Sequence, residues 1–190
     1  DEVMTGFRVH RGGAQGLFNF EPDLTCLGKV VGGGLPVGVY GGKAEYMRHV
    51  SPLGKVYQAG TLSGNPLATA AGIATLDLLT QEAFDRAAAA ADMLAEGLRA
   101  VIAETKTTAV VEQVGTMLTL FFAAELPTNF DEVSACDHAR FGRFHRLMLE
   151  HGVYLPPSGY EACFLSAEHG PDEISAILDA ARAALPASAA

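Results

Sequence analysis

Short apolar runs fenced by glycine and proline open the chain. Residues 1–5 have the pattern of a strand's end and lead into a glycine-containing loop from Gly6 to Gly16. Leu24-Thr25-Cys26-Leu27 is a β-prone run between Pro22-Asp23 and Gly28-Lys29, and Val37 to Tyr40 is a second, between Gly32-Gly33-Gly34 and Gly41-Gly42. Residues 44–50 fit a short helix. At Asn65-Pro66 the period changes, and proline is favoured in a first helical turn, so a helix is predicted over 67–79. Its Ala, Leu, Ile and Thr content predicts burial on most sides. A further helix over 83–104 places Leu94, Leu98, Val101 and Ile102 on one face.

Beyond that helix, 110–114 and 117–123 have the pattern of two strands joined at Gly115-Thr116. An amphipathic helix over 137–151 is stopped by Gly152 in the position glycine favours after a helix. Residues 153–155 and 163–166 are short strand candidates, and Pro171-Asp172-Glu173 starts a last helix to about 185. Short strands between turn signals, interleaved with helices, predict an α/β arrangement. The change of character near residue 80 predicts two domains, 1–80 and 81–190.

Composition adds exclusions. Hydrophobic residues make up 49% and charged residues 18%, which is globular. A net charge of −9 argues against a nucleic-acid partner, whose phosphates need clustered Lys and Arg. No apolar run is long enough to span a bilayer, and no signal peptide opens the chain. Cys26, Cys136 and Cys163 are odd in number and dispersed, which fits neither a disulfide framework nor a zinc site and predicts a reducing compartment. The opening Asp1-Glu2-Val3-Met4 falls in the middle of an apparent strand, so a C-terminal fragment of a longer chain is expected.

The glycine-rich segment fails the phosphate-binding patterns. Gly32 to Gly38 lacks the dinucleotide spacing, and neither Gly28-Lys29 nor Gly42-Lys43 has the upstream glycine or the following Ser or Thr of a P-loop. What remains is Lys29, set between Leu27-Gly28 and Val30-Val31-Gly32-Gly33-Gly34. Burial among such neighbours favours the neutral amine, the nucleophilic form, and the glycines allow a planar ligand close. By itself the pattern also suits a lysine snorkelling at a strand end. His138, His145 and His151 have no third ligand at metal spacing and are expected to pack or face solvent. Glu2, if Asp1 lies on a strand, points to the opposite face and is not a second acid.

Asp1-Glu2-Val3, Leu27-Gly28-Lys29, Gly60-Thr61 and Gly64-Asn65-Pro66 together resemble the class III aminotransferase family. The longer wording, from Asp1 to Arg8, from Gly32 to Gly38 and from Tyr57 to Pro66, is similar to the aminomutase branch of that family. So are Arg143-Phe144-His145-Arg146, Gly152-Val153-Tyr154-Leu155 and Glu161-Ala162. The resemblance covers nearly the whole chain. It implies an α/β type I pyridoxal-phosphate transferase fold, with 1–80 the end of the large cofactor-binding domain and 81–190 the small C-terminal domain.

The same resemblance implies a pyridoxal 5'-phosphate cofactor, cycling through its pyridoxamine form. Lys29 would hold it and move protons at the reacting carbons, Asp1 would pair with its ring nitrogen, and Val3 would cover one ring face. Thr61 would bind the phosphate of the neighbouring subunit's cofactor, which implies a homodimer. Glu161 would stand where related aminotransferases carry an arginine for the substrate α-carboxylate. The implied reaction is intramolecular amino transfer on glutamate-1-semialdehyde, giving 5-aminolevulinate for tetrapyrrole synthesis. The fragment alone is expected to be inactive. The implied location is the bacterial cytoplasm, or a plastid if the source is a plant or alga. Two alternatives stand beside this: an ordinary class III aminotransferase working between two substrates, and a non-catalytic remnant.

Overall fold

The computed structural model describes residues 1–189, and the chain divides between Phe84 and Asp85 into two compact units. The first unit contains helix α1 (Gly13–Phe18), strand β1 (Leu24–Gly28), a 3-10 turn (Lys29–Gly32), strand β2 (Gly38–Gly42), and helices α2 (Ala44–Met47) and α3 (Pro66–Leu78). Helix α4 (Gln81–Thr105) contains the division. β1 and β2 pair antiparallel from Leu24 opposite Gly42 to Gly28 opposite Gly38, so the turn bearing Lys29 leaves the sheet at the closed end of the pair.

No strand forms at 1–5. The Glu2 N–H donates to the Cys26 carbonyl at 2.8 Å, and the chain then turns, with the Gly6 N–H on the Glu2 carbonyl at 2.9 Å. The reason lies in the Glu2 side chain, which is buried and accepts from the Ala14 N–H at 2.9 Å, the Gln15 N–H at 2.8 Å and the Thr5 hydroxyl. It thereby satisfies the orphan donors that start α1, a helix absent from the sequence reading because its cap is remote in sequence. Burial opposes the Glu2 charge, yet the Thr5 hydroxyl and the Gln15 and Ala14 amides outweigh it and hold the carboxyl below its ordinary value.

A depressed carboxyl contributes stability above its unfolded pKa, near 4.3, and loses that contribution as pH falls through the folded value. Glu2→Gln sets an NH2 against backbone donors, so we expect it to lower stability by about 1–2 kcal/mol at pH 7. Denaturant melts of parent and variant should converge as pH falls through the depressed folded value; a pH-independent gap would contradict this account of Glu2.

α3 starts where Asn65-Pro66 placed it. The Asn65 side chain accepts from the Leu67 and Ala68 N–H groups at 3.0 and 3.1 Å, and Pro66 occupies the first turn. Burial on most sides is not found: only Ala68 and Gly72 are buried, while Leu67 and Leu78 are 73% and 76% exposed. The helix meets its own unit through its smallest residues, and the described residues leave its large ones uncovered.

The second unit is built on α4, the hairpin β3 (Val110–Val114) and β4 (Met117–Phe121), helices α5 (Phe130–Ser134) and α6 (His138–Glu150), strand β5 (Cys163–Phe164) and helix α7 (Pro171–Ala187). The sheet order is β3-β4-β5, all antiparallel. Leu94, Leu98 and Val101 are buried as their spacing predicted, with Ile102 against them, and they join Leu118, Leu120, Phe144, Met148 and Leu185 in one core. The end of α7 is tied down by α6: Arg143 Nε donates to the Ser188 carbonyl at 2.8 Å, and Arg140 reaches the Leu185 carbonyl and the Ser188 hydroxyl. Among the described residues no helix is long and apolar enough to cross a membrane.

The strand expected at 153–155 is absent, and β5 is shorter than 163–166. The end of α6 explains the first. The Gly152 N–H donates to the Leu149 carbonyl at 3.0 Å and the Val153 N–H to the Met148 carbonyl at 2.9 Å, which closes the helix and uses the donor a ladder would need. Gly152 holds φ 81°, and a Cβ there would meet nothing within 4 Å. Gly152→Ala therefore isolates the backbone cost, and we expect a loss of about 1 kcal/mol in a denaturant melt. An unchanged midpoint would show that the chain relaxes at no cost.

Candidate active site

Lys29 stands at the end of β1 on a backbone that few lysines adopt, with φ 51°. Left-handed backbone costs a residue with a Cβ about 1–2 kcal/mol, and such costs persist where surrounding contacts impose them. Those contacts are visible. Gly28 is buried beneath Val3, and a Cβ on it would lie 3.1 Å from Val3 Cγ1. The turn then closes with the Gly33 N–H on the Val30 carbonyl and the Leu35 N–H on the Gly32 carbonyl, each at 3.0 Å. Below, the turn sits directly on α3. A Cβ on Gly72 would come within 2.4 Å of the Val31 carbonyl oxygen, and one on Gly33 within 2.5 Å of both the Ala71 carbonyl oxygen and Thr75 Oγ1. Glycine at both positions is what lets backbone meet backbone here.

Lys29 itself is exposed, contrary to the burial its aliphatic neighbours predicted. Val30 and Val31 are half-buried and Gly32 is buried, while Lys29, at the start of the turn, is left exposed. It borders an open cavity of about 750 Å³ shared with Arg8, Gly33, Gly34, Pro36 and Thr75. Pro36 and Val37 also wall an adjoining cavity of about 770 Å³ against the Gly60–Gly64 loop. Val3 is thus placed beside Lys29 through Gly28. Asp1 precedes it, exposed, with Oδ1 accepting the Val3 N–H at 2.8 Å. Glu2, by contrast, is fully engaged on the far side with α1.

Thr61 is exposed in the turn before α3 and borders neither cavity. Glu161 belongs to the second unit, so the structure places it in a separate body from Asp1, Val3, Lys29 and Thr61. It borders an apolar cavity of about 190 Å³ within that unit, and its N–H donates to the Ser158 carbonyl at 3.1 Å. Among the described residues its carboxylate has no hydrogen-bond or ion-pair partner. Arg8, Thr75 and Gly72 were not singled out from sequence. Gly72 did carry a signal, since a lone glycine inside a helical run marks close backbone approach.

The other candidates are committed to structure. His138 Nε2–H donates to the Val133 carbonyl at 2.9 Å and His145 Nε2–H to the Leu155 carbonyl at 3.1 Å. Burial pushes the Cys163 thiol up to about 11, which keeps it protonated and a poor nucleophile. No group of three His, Cys, Asp or Glu among the described residues could hold a metal ion.

Known proteins are similar to this chain in sequence and in fold. The chain is 55% identical to the glutamate-1-semialdehyde 2,1-aminomutase of Laribacter hongkongensis, over 97% of this chain and 44% of that protein. It is 51% identical to the protein of that name from an Anaeromyxobacter species, over 100% and 44%. The chain therefore spans less than half the length of these relatives. Among solved structures it superposes on an omega-transaminase from Sphaerobacter thermophilus with a TM-score of 0.88 at 30% identity, covering 100% of this chain and 44% of that one. A glutamate-1-semialdehyde-aminomutase from Pseudomonas aeruginosa, solved in complex with PMP, gives a TM-score of 0.85 at 27% identity, over 97% and 43%. The α/β fold is that of these enzymes. Residues 1–169 match the class-III aminotransferase family, and the chain belongs to that family.

Proposed function

We propose that the full-length protein is a pyridoxal-phosphate-dependent aminomutase that isomerises glutamate-1-semialdehyde to 5-aminolevulinate, an early reaction of tetrapyrrole synthesis. The supporting observation is the identity of 51–55% to enzymes of that name, joined to a lysine set on a strained turn beside an open cavity. The residues fit the cofactor: glycines at 33 and 34 leave room for a planar group, and the exposed Lys29 amine is available to it. When bound, pyridoxal phosphate supplies the electron sink and carries the amino group.

The chain's own residues take the remaining roles. Lys29 holds the cofactor through its amine and moves a proton at the reacting carbons. The Asp1 carboxylate keeps the ring nitrogen protonated, and Val3, fixed against Gly28, covers a ring face. Thr61, exposed in the turn before α3, binds the phosphate in the partner subunit of a homodimer. Glu161, with its uncommitted carboxylate, repels a substrate α-carboxylate and so selects the orientation of the amino-aldehyde. Residues 1–80 are then the end of the large cofactor domain and 81–190 the small domain. The place of action is the cytoplasm, in keeping with relatives from bacteria.

The experiment is an assay of the full-length protein with glutamate-1-semialdehyde and no other amino donor or acceptor. Formation of 5-aminolevulinate supports the proposal. Turnover that needs an added donor and an oxo-acid acceptor would identify an ordinary aminotransferase instead.

A further inference from the structure

We propose that His138 is a positioning residue for Glu161, its ring serving as the platform on which Tyr160, the neighbour of Glu161, is stacked. The inference rests on the reading of Glu161 as the residue that orients substrate. The Tyr160 and His138 rings are nearly parallel, 12° apart, with centroids at 4.2 Å. Phe130 stacks on Tyr160 as well, at 5.9 Å and 29°. His138 cannot turn freely, because its Nε2–H is held by the Val133 carbonyl at 2.9 Å. That carbonyl only accepts, which sets the proton on Nε2 and leaves Nδ1 directed at Gly159. A Cβ on Gly159 would lie 2.8 Å from Nδ1, so the loop backbone rests directly on the ring.

The segment carrying Glu161 is therefore pinned on both sides. Before it, Gly159 and Tyr160 lie on the imidazole, and the Glu161 N–H closes a turn onto the Ser158 carbonyl. After it, Cys163 pairs with Leu118 in the sheet. The backbone at 161 is fixed while the carboxylate itself is uncommitted, an arrangement suited to a group that meets a ligand rather than the protein. Neither His138 nor Tyr160 needs to touch substrate for this.

Two variants of the cofactor-loaded full-length enzyme separate the ring's two contacts. His138→Phe keeps a stacking face and loses the donor to Val133; His138→Gln keeps a donor and loses the face. If stacking positions Glu161, His138→Gln raises KM for glutamate-1-semialdehyde at least fivefold with kcat within twofold of the parent. His138→Phe then keeps KM within twofold. A His138→Gln enzyme with parental KM, or a His138→Phe enzyme equally impaired, overturns the inference. A parent that forms no 5-aminolevulinate would instead overturn the functional reading, which the parent assay decides separately.

Discussion

Replacing Lys29 with alanine in the full-length protein is expected to lower 5-aminolevulinate formation by about 10³-fold or more. A positioned proton-transfer group alone contributes about 10²–10⁴-fold, and this side chain is also proposed to hold the cofactor. The backbone predicts a second, opposite effect. Lys29 sits at φ 51°, so any residue with a Cβ there carries left-handed strain that glycine does not. Lys29→Gly should lose turnover as alanine does and yet gain about 1 kcal/mol of stability in the cofactor-free protein. That pairing separates an active-site lysine from a surface one. Undiminished turnover in Lys29→Ala would remove the residue from the chemistry, and a destabilised Lys29→Gly would show that the turn is not strained.

Gly72→Ala should damage the same site from beneath. A methyl group at 72 would lie 2.4 Å from the Val31 carbonyl oxygen, a separation no relaxed contact permits, and the obstacle is backbone rather than a mobile side chain. The relief available is to lift the Lys29–Gly32 turn off α3. Overpacking of this kind costs about 1–3 kcal/mol, and a displacement near 1 Å at a reacting group costs about 10²-fold in rate. We expect both: a lower denaturation midpoint and turnover reduced by about 10²-fold, although residue 72 does not itself line the cavity. A variant destabilised with full turnover would show that α3 supports the unit without positioning Lys29.

The longer helices were legible in sequence because their ends carry local chemistry, whereas the short α5, capped by Asn129, was not read. Asn65-Pro66 opens α3, Gly152 closes α6 and Pro171 opens α7, each through contacts a few residues apart. The spacing of Leu94, Leu98, Val101 and Ile102 likewise marked the buried face of α4. The miss at α1 depends on a partner distant in sequence. α1 is capped by Glu2, a dozen residues upstream, and the same contact bends 1–5 away from the expected strand. Val153 has strand composition, but its N–H closes the end of α6.

Exposure within this chain, which spans 44% of its relatives' length, differs from what composition predicted. The apolar neighbours of Lys29 predicted a buried amine, whereas in this chain the lysine is exposed on a turn with φ 51°. Within this unit α3 is seated through Gly72 and Ala68, and the described residues leave its leucines uncovered. The identity of the candidate residues was visible in the wording of the motifs. The glycine-on-backbone seat that presents Lys29 was not, because it joins positions 28–33 to 71–75 only through the fold.

The most direct test of Lys29 as the cofactor lysine is chemical. Full-length protein loaded with pyridoxal phosphate is reduced with borohydride, digested and mapped by mass spectrometry for a pyridoxyl group. Loading with the pyridoxal form matters, because the pyridoxamine form leaves nothing on the lysine to reduce. A pyridoxyl adduct on Lys29 is the expected result. A folded, loaded protein with the adduct on another lysine, or with none, would contradict it.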